Sequence, residues 1–135
     1  MSDKAKILIV EDENIVAIDI RKMLLNFGYE ITSIESSGEE AIVSVREKKP
    51  DLILMDIVLK GRMTGIDASR IISQYFKIPI IYMTALSNDD SLLEARRRES
   101  YGFLFKPFNA NELNIAIEMA LISRGFEENC SVLNK

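Results

Sequence analysis

Short apolar runs alternate with longer amphipathic stretches along the whole chain. Ile7-Leu8-Ile9-Val10 is rich in β-branched residues and stops at acidic ones, which predicts a buried strand. Between Asn14 and Phe27 the apolar residues Val16, Ile20, Met23, Leu24 and Phe27 recur at helical spacings and share one face. Gly28 then ends that helix. Ile31 to Ile34 predicts a second, more exposed strand. Gly38 to Lys48 predicts a helix with Ala41, Ile42 and Val45 inward and Pro50 beyond its end. Leu52 to Met55 reads as a third strand, buried on both faces. A loop with Gly61 and Gly65 leads to a third helix over Ile66 to Phe76. Ile78 to Met83 predicts the fourth strand, with Pro79 near its start, where a missing N–H matters least. Ser87 is placed to cap a fourth helix, with Asp90 completing a capping-box pattern. Phe103 to Phe105 gives a short fifth strand. Asn109 or Asn111 caps the last helix, whose inner face is Leu113, Ile117, Ala120 and Leu121 and whose end falls near Gly125.

Strands and helices in strict alternation imply an α/β fold, a parallel sheet with helices on both faces. Right-handed crossovers restrict its topology, and with five strands a flavodoxin-like (βα)5 order, 2-1-3-4-5, is expected. In such sheets a ligand sits beyond the carboxyl ends of the strands, at the switch between strands 1 and 3. Length agrees with one domain: 135 residues form a compact unit over 1–125, followed by a polar tail over 126–135.

Charge and cysteine content narrow the setting. The net charge is −4, which argues against nucleic acid as a direct partner. One cysteine, Cys130, cannot form an internal disulfide, so a reducing compartment is expected. The apolar run after Lys6 is too short for a signal-peptide core. No run approaches the roughly 18 residues that suggest a membrane span. A cytoplasmic protein with no membrane contact is the expectation.

The chemistry gathers at the strand ends. Strand 1 ends in Glu11-Asp12, strand 3 in Asp56, strand 4 in Thr84 and strand 5 in Lys106-Pro107. Taken singly each has a bland reading: an acidic pair after a strand is ordinarily a cap or a solvated turn, and an aspartate after a strand is a turn residue. Together they fall where the pattern already calls for a site. Two carboxylates about 4 Å apart repel by roughly 4 kcal/mol at an effective dielectric near 20. They must take up protons, be solvated or share a cation. An all-oxygen donor set suits Mg²⁺ or Mn²⁺. A carboxylate can also attack phosphorus to give an aspartyl phosphate, with Lys106 and Thr84 available to the phosphoryl oxygens.

The segments ILIVEDE at 7–13, DLILMDIVL at 51–59, IIYMTA at 80–85 and GFLFKPF at 102–108 resemble the receiver domains of two-component response regulators. The resemblance spans roughly residues 5 to 122. It implies Asp56 as phosphoacceptor, with Glu11, Asp12, Asp56 and the Val58 carbonyl around Mg²⁺. It implies Thr84 as the switch hydroxyl, Ala85 as a small residue leaving room for the phosphoryl group, and Lys106 as the phosphate-pairing lysine. It further implies a cis Lys106–Pro107 bond and Phe103 at the aromatic switch position. A sensor histidine kinase or another phosphohistidine donor is the implied partner. A downstream protein or a second receiver would bind the face formed by the fourth helix, fifth strand and fifth helix. Arg96-Arg97-Arg98 in the fourth helix is read as a solvated basic face.

Two departures from the family pattern stand out. Many receivers carry proline four residues after the phosphoacceptor, where this chain has Lys60, and the later glycine, Gly65, lies one place further on. This lengthened loop resembles a subset with a Met-Asp-Ile-x-Leu-x-Gly pattern. Phe103 also lacks the hydroxyl of the common tyrosine. Two other classes are considered. An aspartate-nucleophile phosphatase needs a second aspartate at position 58, which is valine. A pseudo-receiver, a binding module without phosphorylation, would have no need of the full set Asp12, Asp56, Thr84 and Lys106. No G-x-G-x-x-G or P-loop suggests a nucleotide site. The expected role is therefore regulatory rather than enzymatic.

Overall fold

The computed structural model describes residues 5–85 and 102–133. The strands are β1 (Lys6–Val10), β2 (Glu30–Glu35), β3 (Leu52–Asp56), β4 (Ile80–Thr84) and β5 (Gly102–Phe105). The helices are α1 (Asn14–Asn26), α2 (Gly38–Lys48), α3 (Gly65–Tyr75) and a C-terminal helix (Ala110–Leu133). All four strand pairings are parallel, in the order β2-β1-β3-β4-β5. The helix expected from Ser87, with Asp90 and Arg96 to Arg98, lies outside the described residues.

Side chains alternate across a strand, and the two faces of the sheet build separate cores. Ile7 and Ile9 of β1 and Leu52 and Leu54 of β3 pack with Ile20 and Leu24 of α1 and Leu113 and Ile117 of the C-terminal helix. Leu8, Val10, Ile53 and Met55 face the other way, onto Ala41 and Val45 of α2 and Ile66 and Ile72 of α3. Burial on both faces explains why the central strands are continuous apolar runs. Each fully buried side chain of this size contributes about 1.5–3 kcal/mol. β2 lies at one edge and is half-exposed, as its mixed sequence predicts.

Helix boundaries follow local chemistry. Gly28, at φ +88°, turns the chain out of α1. Ser37 caps α2 by accepting from the Glu40 N–H at 3.1 Å. Thr64 and Asp67 form a reciprocal capping box at α3. Asn109 caps the C-terminal helix: its Oδ1 accepts from the Glu112 N–H at 2.8 Å, and its own N–H donates to Glu112 at 3.0 Å.

Several boundaries differ from the sequence reading by a residue or more, among them these three. The C-terminal helix does not end near Gly125 but runs on to Leu133; one interior glycine costs about 1 kcal/mol against alanine, too little to stop a helix. β4 begins at Ile80 rather than Ile78, because Pro79 has no N–H to give a ladder; its carbonyl instead accepts from Ile53 at 3.0 Å. α3 spans Gly65–Tyr75, and Phe76 is already extended at φ −136°.

Candidate functional site

Parallel strands bring their carboxyl ends to one edge, and register decides which residues meet there. Val10 pairs with Met55, Asp56 with Met83 and Thr84 with Phe105. Glu11 and Asp12 therefore emerge beside Asp56, and Lys106 emerges beside Thr84. The Lys106 N–H donates to the Thr84 carbonyl at 2.8 Å, and the Lys106–Pro107 peptide is cis.

Glu11, Asp56 and Thr84 are buried, at 1%, 5% and 2% exposure. Lys106 Nζ donates to Glu11 Oε1 at 2.5 Å and to Asp56 Oδ2 at 3.0 Å, joining the ends of β1, β3 and β5. The other oxygen of Asp56, Oδ1, accepts from the Val58 N–H at 3.0 Å. Glu11 Oε2 accepts from the Glu13 N–H at 3.2 Å, and Asp12 Oδ2 accepts from the Lys60 N–H at 3.0 Å. Burial pushes the Glu11 carboxyl up to about 7, against the pull of Lys106. Burial alone would lower the Lys106 ammonium; its hydrogen bonds to Glu11 and Asp56, and their charges, outweigh that and hold it above its ordinary value.

One carboxylate oxygen from each of Glu11, Asp12 and Asp56 lies within 4.8 Å of the others. Among the described residues the cluster gathers three carboxylates, two of them paired with the Lys106 ammonium, so in its ionised form it carries two excess negative charges. That excess and the all-oxygen donor set fit a hard divalent cation, Mg²⁺ or Mn²⁺. The chemistry open to such an edge is nucleophilic attack by a carboxylate on an electrophile whose negative charge is balanced locally.

The structure thus brings Glu11, Asp12, Asp56, Val58, Thr84 and Lys106 to one edge. Ala85 follows Thr84 and is exposed. Phe103 points to the α2–α3 face, its ring tilted at 32° to that of Tyr82 with centroids 5.7 Å apart. Sequence reasoning named two loop residues without finding their roles. Gly65 is required because a Cβ there would fall inside contact distance of the Asp56 carbonyl oxygen, with its carbon at 2.9 Å. The Lys60 amide holds Asp12, a contact for which the sequence carries only the hint that proline is absent there.

This fold and edge define a class, and comparison with known proteins agrees. Residues 7–118 match the family model described as response regulator receiver domain, and the chain belongs to that family. Its relatives include the transcriptional regulatory protein PdtaR of Mycobacterium tuberculosis, 38% identical over 116 residues, which are 86% of this chain and 56% of that protein. The receiver domain of a modulated diguanylate cyclase from Desulfovibrio desulfuricans superposes with a TM-score of 0.88 at 32% identity, covering 93% of this chain and 99% of that one. The anti-anti-sigma factor PhyR of Bartonella quintana superposes at 0.81 with 36% identity, over all of this chain and 53% of that one. The chain spans about half the length of the curated relatives it matches first, 56% of PdtaR and 50% of YvrH from Bacillus subtilis. Receiver domains bind Mg²⁺ through acidic residues and work with histidine kinases and downstream proteins. They are regulatory domains of two-component signalling. No helix among the described residues is long and apolar enough to cross a membrane.

Proposed function

We propose that this receiver accepts a phosphoryl group on Asp56 and switches a protein-binding face in response. The observation that carries the reading is the placement of Asp56: buried, 3.0 Å from Lys106 Nζ and clustered with Glu11 and Asp12. An Asp56 carboxylate oxygen attacks phosphorus; the bond from phosphorus to the donor's imidazole nitrogen breaks, and the imidazole leaves with the electron pair. These 135 residues hold no histidine, so the donor phosphohistidine lies outside them, on a sensor histidine kinase or another phosphohistidine carrier.

Glu11, Asp12, Asp56 and the Val58 carbonyl would hold the divalent cation. Bound there, Mg²⁺ (or Mn²⁺) supplies positive charge that offsets the repulsion between Asp56 and the incoming phosphoryl oxygens. Lys106 turns from Asp56 to those oxygens, Thr84 donates its hydroxyl to them, and the small Ala85 leaves room. Movement of Thr84 frees space for Phe103, whose partly buried ring can press further inward. β5 and the C-terminal helix then change the surface they present. That surface already carries exposed apolar groups, Phe105, Ile115, Met119 and Ile122, which suits a downstream protein or a second receiver. The domain catalyses only its own phosphorylation and dephosphorylation. The receiver unit, whose last helix runs on to Leu133, works in the cytoplasm beside its donor.

The test uses beryllofluoride with saturating Mg²⁺. Amide shifts are expected around Asp56, Thr84 and Phe103, and none in Asp56→Asn. An unresponsive wild type overturns the reading.

A further inference from the structure

The loop after Asp56 departs from the family pattern, and the structure gives that departure a use. We infer that the backbone N–H of Lys60 is a positioning group for the metal ligand Asp12, so that the shape of this loop sets the affinity of the metal site. The inference rests on the metal site proposed above. Lys60 N–H donates to Asp12 Oδ2 at 3.0 Å across 48 residues of sequence. It ties one carboxylate oxygen down and fixes where the other points. Proline, common at this place in the family, has no N–H and could not do so. Having lysine here adds a donor.

The donor is held on both sides. Leu59, immediately before it, is 8% exposed and packs in the core with Val10, Ile57 and Ile66. Gly61, immediately after it, takes φ +103°, a conformation that side chains disfavour. Further on, Met63 packs against the same core, and Gly65 N–H donates to the Ile57 carbonyl at 2.9 Å, closing the loop. The outer residues Val58, Lys60, Gly61 and Arg62 are exposed. A buried side holds the loop, while its polar backbone serves the carboxylate. Losing such a support for a metal ligand lowers metal affinity about 10- to 100-fold.

Gly61→Ala isolates the effect, because a Cβ there meets nothing within 4 Å and only the backbone is strained. Gly28→Ala is its matched control: φ is +88°, again with nothing within 4 Å, at the far end of α1. Lys60→Pro removes the N–H directly. Mg²⁺ titrations of the full chain, followed by calorimetry and amide shifts, should show about tenfold weaker binding in Gly61→Ala and Lys60→Pro. Gly28→Ala should bind like the wild type. Hydrogen exchange of the Lys60 amide in the metal-free chain should be slow, and fast in Gly61→Ala. Equal Mg²⁺ affinity in wild type, Gly61→Ala and Lys60→Pro overturns the inference and leaves the metal site standing. A wild type that binds no Mg²⁺ overturns both.

Discussion

Replacing Gly65 with alanine should damage the molecule far more than one methyl group suggests. Gly65 is buried at the start of α3, directly behind the end of β3. A Cβ there would overlap the Asp56 carbonyl oxygen and lie 2.9 Å from its carbon and 3.0 Å from Ile57 Cα. All three are backbone atoms, so no rotamer change relieves the contact. Overpacking costs about 1–3 kcal/mol where side chains can adjust; here the cost should reach the top of that range, about 3 kcal/mol. With a urea m-value of about 2 kcal/mol/M, the unfolding midpoint should fall by about 1.5 M, read by far-ultraviolet circular dichroism. The folded fraction should also lose its beryllofluoride shifts, because relief of the overlap moves the Asp56 backbone. Gly125→Ala is the counterpart: it lies in a helix with nothing within 4 Å, and should be neutral or stabilising by about 0.5–1 kcal/mol. A Gly65→Ala protein within about 0.5 kcal/mol of the wild type, well short of the overpacking range, would refute the reasoning.

Other substitutions test separate links. Lys106→Met leaves Glu11 and Asp56 facing each other; the metal-free protein should lose about 1–3 kcal/mol, moderated because Glu11 can take a proton, and Mg²⁺ should recover most of the loss in thermal melts. Thr64→Ala removes the capping box of α3 and should cost about 1 kcal/mol in urea unfolding. Tyr29, which donates to Asn114 Oδ1 at 2.9 Å, is held above its ordinary value of 10.0 by burial and by the nearby Glu118. A raised folded value means that its stabilising effect is present below pH 10 and is lost as pH climbs through the folded value. Urea midpoints measured across that window should fall with pH, and less steeply in Tyr29→Phe.

Much of the site was legible because strand periodicity and parallel topology are enough to bring Glu11, Asp56, Thr84 and Lys106 to one edge. Continuous apolar runs at Ile7 to Val10 and Leu52 to Met55 identify central strands without any contact information. The hydrogen bonds inside the site were not legible. Lys106 was read as a partner for phosphate, and nothing in the sequence says that it binds Glu11 and Asp56 in the metal-free protein. That pairing depends on register and side-chain reach. Gly65 stood out only as a displaced glycine of the family pattern; the close backbone approach that requires it leaves no pattern in sequence. Lys60 was visible only as a missing proline; its N–H acts through the backbone, which every residue except proline offers. Gly125 misled because a glycine near a helix end ordinarily signals a stop, yet its weight in a long helix is small.

The central claim is a phosphoryl group on Asp56, and intact-protein mass spectrometry tests it most directly. The chain is incubated with a phosphohistidine donor or acetyl phosphate and Mg²⁺. The account predicts a gain of one phosphoryl group, labile to hydroxylamine as an acyl phosphate must be, not formed when the metal is chelated beforehand, and absent in Asp56→Asn. No gain in the wild type at saturating Mg²⁺, or an equal gain in Asp56→Asn, would contradict it.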